Sequence, residues 1–190
     1  MNLRELILKT RSYRRFHEEI PIDLPTLEGL VDLARLSASG NNKQPLKYFL
    51  AHDPQVNSSI FPLLAWAGYL KDWPGPAEGE RPTGYIVILG DTQIHQSFGY
   101  DCGIAAQNIL LGATEKGLGG CLIGSIQRDR LRQVLRIPSR YEILLVIALG
   151  KPAETVQLEA VGTSGDIKYW RDPNGVHHVP KRALTDIIIG

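Results

Sequence analysis

The sequence has 190 residues, enough for one domain with a core of ordinary size, and its 43% hydrophobic and 22% charged content is that of a globular chain. A net charge of +1 leaves no general field for nucleic acid or an anionic membrane, so any anion site must be local. No apolar run approaches the ~20 residues that span a bilayer, the start at Met1–Leu6 reads as an amphipathic helix rather than a signal peptide, and Cys102 and Cys121 make neither a C-x-x-C pair nor a metal or iron–sulfur set, so a reduced cytoplasmic protein is expected.

Leu3, Leu6 and Ile7 set a first helix over 3–10, which runs into the basic stretch Arg11-Ser12-Tyr13-Arg14-Arg15-Phe16. Pro21 and Pro25 punctuate, the second where a first helical turn tolerates proline. Leu27, Leu30, Val31, Ala34 and Ser37 continue one face of a second helix, ending in the turn chemistry of Ser39-Gly40-Asn41-Asn42. Tyr48–Ala51 is a short strand candidate. Residues 53–83 read as an irregular, proline-punctuated excursion carrying Trp66 and Trp73, either a lid over a site or a plain surface loop. Tyr85–Gly90 is the clearest strand, apolar throughout and so buried on both faces.

Residues 96–116 predict a long helix that is apolar or small nearly all round, with Gly99, Gly103 and Ala106 along one stripe. Such a helix must be covered on every side, and its glycines, each costing about 1 kcal/mol against alanine, imply close backbone packing. A subunit interface is the favoured cover; a core helix buried within one chain is the alternative. Asp129–Leu135 is a polar-faced helix, Ile143–Leu149 a second apolar strand, and the tail to 175 loop-rich. Pro180–Leu184 opens a short helix or turn. Helices and strands alternate loosely, giving an α+β or α/β class for one domain spanning 1–190.

The glycines at 117–124 follow a helix and lead into an apolar segment, whereas a dinucleotide fingerprint lies between a strand and the helix after it. Gly117 reads instead as a helix C-cap. Two or three guanidiniums and a hydroxyl within Arg11–Arg15 could grip a phosphate through bidentate bonds. Taken alone, the run reads first as a solvated basic helix end. Lys181-Arg182 is equally open. Two small basic spots on a neutral chain suit one phosphate better than a long polyanion. Ser39, Asn42 and Gln44 offer donors and acceptors side by side, suited to a heterocycle edge or simply to a polar loop. His177-His178 reads as surface histidines rather than metal ligands, and no hydrolase elbow or activated cysteine is present.

The order of these segments resembles the nitroreductase family of FMN-dependent oxidoreductases. The resemblance rests on Arg11-Ser12-x-Arg14-x-Phe16, Ser39-x-x-Asn42-x-Gln44-Pro45, the small apolar helix entering Gly117-Leu118-Gly119-Gly120, Ala148-Leu149-Gly150-Lys151-Pro152, and Lys181-Arg182. It implies an α+β fold with a mixed, mainly antiparallel sheet flanked by helices, in an entwined homodimer with two FMN sites at the interface. It places Arg11, Ser12, Tyr13 and Arg14 at the phosphate and ribityl chain, joined by Lys181 or Arg182. Ser39, Asn42 and Gln44 are placed at the isoalloxazine, partly across the interface, and the backbone of Ile123-Gly124-Ser125 faces flavin N5. Gly124 stands where many relatives carry glutamate, and Leu46 where tryptophan is common.

The implied activity is ping-pong reduction of nitroaromatics, quinones or similar flat acceptors by NADH or NADPH, with no side chain as catalytic acid or base and the lid at 53–83 choosing the substrate. Arg15 or Lys43 is the candidate cation for the pyrimidine end. A specialised dehalogenase, dehydrogenase or flavin-fragmenting enzyme, and a low-turnover flavin sensor or carrier, are the alternatives.

Overall fold

The computed structural model describes residues 1–190. Its frame is a four-stranded, wholly antiparallel sheet in the order β1-β2-β4-β3, formed by β1 (Leu46–Ala51), β2 (Gly84–Asp91), β3 (Gly119–Ile123) and β4 (Tyr141–Gly150). The apolar run of β2 is buried at every position, as its sequence predicts for a central strand. Its alternation feeds two cores. Tyr85, Val87 and Leu89 pack with Ile60, Leu131, Val146 and Ala148 on one face, while Ile86 and Ile88 pack with Leu27, Leu30, Ile109, Ile147 and Leu149 on the other. Helices therefore cover both faces: α2 (Leu24–Arg35) and α4 (Asp101–Glu115) on one side, α3 (Pro54–Ile60) and α5 (Arg128–Val134) on the other. Each fully buried aliphatic side chain contributes about 2 kcal/mol, so this sandwich, more than local propensity, fixes the frame.

Local signals set the boundaries. α1 (Leu3–Lys9) opens on a capping box in which Asn2 and Glu5 bond each other's backbone, and Asp23 caps α2 ahead of Pro25. Gly117 takes φ +72° after α4, with Leu118 N–H donating to the Ala113 carbonyl at 2.8 Å, the glycine C-cap expected there.

The excursion at 53–83 is less irregular than its composition suggests. Asp53 accepts from the amides of Gln55 and Val56 and Pro54 sits in the first turn, so α3 forms where a loop is expected. α4 begins at Asp101, later than predicted, because Gly99 adopts φ +44° and breaks the helical path. The proposed glycine stripe does not form either. Gly99 lies outside the helix, Gly103 faces open space and Ala106 is buried within the chain. The close approach is at Gly112, whose Cβ would sit 2.3 Å from Leu33 of α2. The opposite flank of α4 is left open at Gly103, Ile104 and Gln107.

The tail also departs from expectation. β5 (Val156–Ala160), β6 (Trp170–Arg171) and β7 (His177–Lys181) form a second sheet, with β5 and β7 parallel. Pro180 and Lys181 thus lie in a strand, and the predicted turn starts only at Leu184. β6 pairs only with His177 and His178, so the Pro180 nitrogen meets no ladder partner on that side. His177 and His178 are not surface residues: His177 is buried, and His178 stacks on Trp170 with ring centroids 4.1 Å apart.

Candidate functional site

The arginine-rich segment crosses the end of the main sheet because glycines make room for it. Tyr13 N–H donates to the Gly120 carbonyl at 3.0 Å, His17 N–H to Lys151 at 2.8 Å, and Ser12 bridges Gly120 in parallel. A Cβ on Gly119 would come within 2.5 Å of the Tyr13 ring, and one on Gly150 within 2.7 Å of Phe16. These glycines serve close passage of the chain, not a phosphate loop.

That crossing buries Arg14, which is 9% exposed. Its Nη1 donates to the Ser12 carbonyl at 3.3 Å and lies 3.2 Å from His177 Nε2, with the guanidinium over the Tyr169 ring at 4.8 Å. Burial, then the charges of Arg14, Arg171 and His178, push the His177 imidazole down to about 4. It is therefore neutral near neutrality, and with Arg14 the donor its Nε2 is the acceptor, leaving the proton on Nδ1, a buried atom without a partner. Glu154 secures the backbone beneath. One oxygen accepts from the amides of Arg14 and Arg15, and the other pairs with Arg171 Nη2 at 2.8 Å. The Arg14 guanidinium itself has no carboxylate partner.

Arg14 opens into a cavity of about 170 Å³ that also holds Ile123, Gly124, Ser125, Trp66, Ala67 and Tyr169. Ala65 N–H donates to the Ser125 carbonyl at 3.0 Å, joining the 53–83 excursion to this segment. Ala67 holds φ +40° there. Tyr169 pins the excursion from below: its hydroxyl accepts from Tyr69 N–H at 3.3 Å and its ring lies 4.9 Å from that of Tyr69. A Cβ on Gly124 would meet nothing within 4 Å. Arg14 and the 123–125 segment thus line one cavity.

The other expected residues are elsewhere. Arg11 folds back on α1, its Nη2 donating to the Ile7 carbonyl at 2.7 Å. Tyr13 packs its ring on Gly119 and donates its hydroxyl to the Lys9 carbonyl. β7 carries Lys181 away from His177 by about 13 Å of strand, and both Lys181 and Arg182 are exposed. Arg15 is ion-paired with Glu80, which neutralises the charge expected of it at the pyrimidine end; Lys43 sits 3.3 Å from His95 Nε2. Ser39 and Gln44 line a separate cavity of about 240 Å³ with Tyr48 and Asp101. Their loop leads into β1, at one edge of the sheet, whereas Ile123–Ser125 leaves β3 at the other. The two halves share no lining residue within one chain. Tyr169, Glu154 and Asp101 were invisible to motif reading, and His177 read as a surface residue, because each acts through contacts more than 60 residues apart in sequence.

The family model described as "Nitroreductase family" matches residues 84–151, which run from β2 through α4 and β3 to the end of β4. A putative NADH dehydrogenase/NAD(P)H nitroreductase of Methanothermobacter thermautotrophicus is 28% identical over 162 residues, covering 81% of this chain and 79% of that one. The FMN reductase (NADPH) of Bacillus subtilis is 25% identical over 175 residues, covering 80% of this chain and 66% of that one. Among solved structures, a nitroreductase family protein of Streptococcus pneumoniae superposes over 100% of both chains with a TM-score of 0.73 at 16% identity. A putative NADH dehydrogenase/NAD(P)H nitroreductase of Parabacteroides distasonis gives 0.65 at 25% identity, over 80% of this chain and 87% of that one. Its central segment, its relatives and its fold are all similar to those of the nitroreductase family.

Proposed function

We propose that this chain is an FMN-dependent oxidoreductase that works as a homodimer, takes electrons from NADH or NADPH and passes them to nitroaromatic, quinone or similar flat electrophilic acceptors. The observation that carries the reading is the buried Arg14 guanidinium, unpaired with any carboxylate and opening into the cavity bordered by Ile123–Ser125. A buried cation without an anion suits a phosphate. Relatives named FMN reductase (NADPH) and NADPH-flavin oxidoreductase support the choice of cofactor.

Bound FMN supplies hydride transfer at N5, chemistry that none of the chain's side chains offers. The protein's part is to bind and orient. Arg14, with Ser12 close to it in the chain, would hold the phosphate and ribityl chain, whereas Arg11 and Lys181–Arg182 lie away from that cavity. Backbone amides of Gly124 and Ser125 face the reacting edge of the ring. Ser39, Asn42 and Gln44 reach the ring from a second copy, since the two halves lie on opposite sheet edges. Lys43 brings positive charge to the pyrimidine end. Trp66, Ala67 and Gly68 line the cavity on the side of the 53–83 excursion. The open flank of α4 at Gly103, Ile104 and Gln107 gives the second copy an apolar surface to cover. No helix is long and apolar enough to cross a membrane.

The test begins with colour. The purified protein should be yellow, or become so with FMN, and light scattering should give twice 21.1 kDa. Anaerobic mixing with NADH or NADPH should bleach it rapidly, and a nitroaromatic or quinone should restore the colour. A chain that stays colourless after reconstitution defeats the cofactor assignment. Colour that persists under both nucleotides defeats the reductase and favours a low-turnover flavin binder.

A further inference from the structure

The loop between α2 and β1 is held in a conformation its sequence does not favour. Asn41, Asn42 and Gln44 take φ of 50°, 54° and 51°, the left-handed region in which a side chain crowds its own backbone. Asparagine tolerates this best. Three non-glycine residues of four is unusual, and strained backbone of this kind persists only where surroundings over-determine it. Bonds inside the loop, such as Asn42 N–H to the Ser39 carbonyl at 2.8 Å and Gln44 Nε2 to the Asn42 carbonyl at 3.2 Å, close turns but do not anchor it to the fold.

The anchor is Asp101, the first residue of α4. Its Oδ2 accepts from the Ser39 hydroxyl at 2.5 Å and its Oδ1 from Gly40 N–H at 2.9 Å. Ser39 Oγ accepts in turn from Gln44 N–H at 2.9 Å. One carboxylate thus fixes the start of the loop directly and its end through a single hydroxyl. We infer that Asp101 is a positioning residue that holds Ser39, Asn42 and Gln44 in the geometry with which they meet the flavin ring. This rests on the function proposed above.

A chemical consequence follows for Ser39. A hydroxyl has one proton and two lone pairs. Here the proton is committed to Asp101 and one lone pair to Gln44. Ser39 can therefore only accept from a ligand, so it suits a ring N–H, and donors to the ring's carbonyls must come from the Asn42 and Gln44 side-chain amides.

The experiment compares wild type, Asp101→Asn, Ser39→Ala and the double variant. It reads the Kd of the apoprotein for FMN by fluorescence quenching, and amide hydrogen exchange over 38–45 without FMN. Each single variant should weaken FMN binding about 10-fold, the size of one lost charge-assisted bond. The double variant should lose little more than either, because the two act through one relay. Exchange over 38–45 should rise in both singles with the rest of the chain unchanged. If Asp101→Asn does not fold, amide exchange over 38–45 in Ser39→Ala, which leaves the carboxylate in place, carries the test, because its FMN affinity also reflects the contact of Ser39 with the ring. Wild-type affinity in Asp101→Asn, or losses that multiply in the double variant, overturns the inference while leaving FMN binding intact. A wild type that binds no FMN overturns the proposed function instead. In that case unchanged exchange in Asp101→Asn separately overturns its hold on the loop.

Discussion

His177 should make this fold sensitive to acid, by an amount that can be worked out. Its imidazole titrates at about 4 in the folded chain, against 6.5 when exposed, because it is buried and faces the cations of Arg14, Arg171 and His178. A folded value below the unfolded one means that the unfolded chain binds the proton first as pH falls. The stabilisation is complete above 6.5 and is lost progressively between 6.5 and about 4. Between pH 8 and pH 5 this linkage is worth ~2 kcal/mol. Other ionisable groups also respond to pH over this range, so the useful quantity is a difference. Urea unfolding of wild type and His177→Gln should be followed from about pH 8 to about pH 5. The variant starts less stable, having lost packing against Tyr169, but its stability should fall less steeply, with the gap closing by about that amount. Parallel curves would refute the reasoning, as would a nuclear magnetic resonance titration placing His177 near 6.5. The site should respond too: once protonated, Nε2 no longer accepts from Arg14, and the guanidinium loses one of its two fixed positions.

Three further outcomes are expected. Arg14→Ala should raise the FMN Kd roughly 10- to 100-fold, as expected for one or two lost charged hydrogen bonds; unchanged affinity by fluorescence titration removes Arg14 from the phosphate site. Gly120→Ala should destabilise by about 1–3 kcal/mol through overpacking, since the new Cβ would lie 2.6 Å from the Ala148 carbonyl oxygen; denaturant midpoints at unchanged m-value check it. Glu154→Gln should cost about 3 kcal/mol by leaving the Arg171 charge without its buried partner, and should loosen the Arg14 backbone, measured as faster amide exchange at 14 and 15.

The parts of this fold written in local pattern were legible in the sequence. β2 and β4 declared themselves as unbroken apolar runs, and Gly117 as a cap, because each depends on neighbours within a few residues. α3 was masked by the prolines around it, although Asp53-Pro54 is a sound helix start. β7 was masked by Pro180, tolerable only because β6 ends before reaching it. In the site, the arginine motif and the 123–125 segment could be named, and Arg14 of the motif lines one cavity with that segment. What could not be read is what holds them. Burial of His177, the Tyr169 ring under Arg14 and the Glu80 partner of Arg15 are matters of tertiary placement. Sequence spacing carries no trace of them.

The placement of the two half-sites on opposite edges of one sheet has a genetic consequence. In the proposed dimer, each cofactor position draws Arg14 from one copy and Gln44 from the other. A defect in either loop therefore disables both positions of a uniform dimer. Chains broken at Arg14 and chains broken at Gln44, refolded together, would form mixed pairs in which one position inherits both faults and the other neither. Random pairing makes half the dimers mixed, so about a quarter of all positions recover. Two inactive proteins would then restore activity on mixing, as two damaged alleles can in one cell.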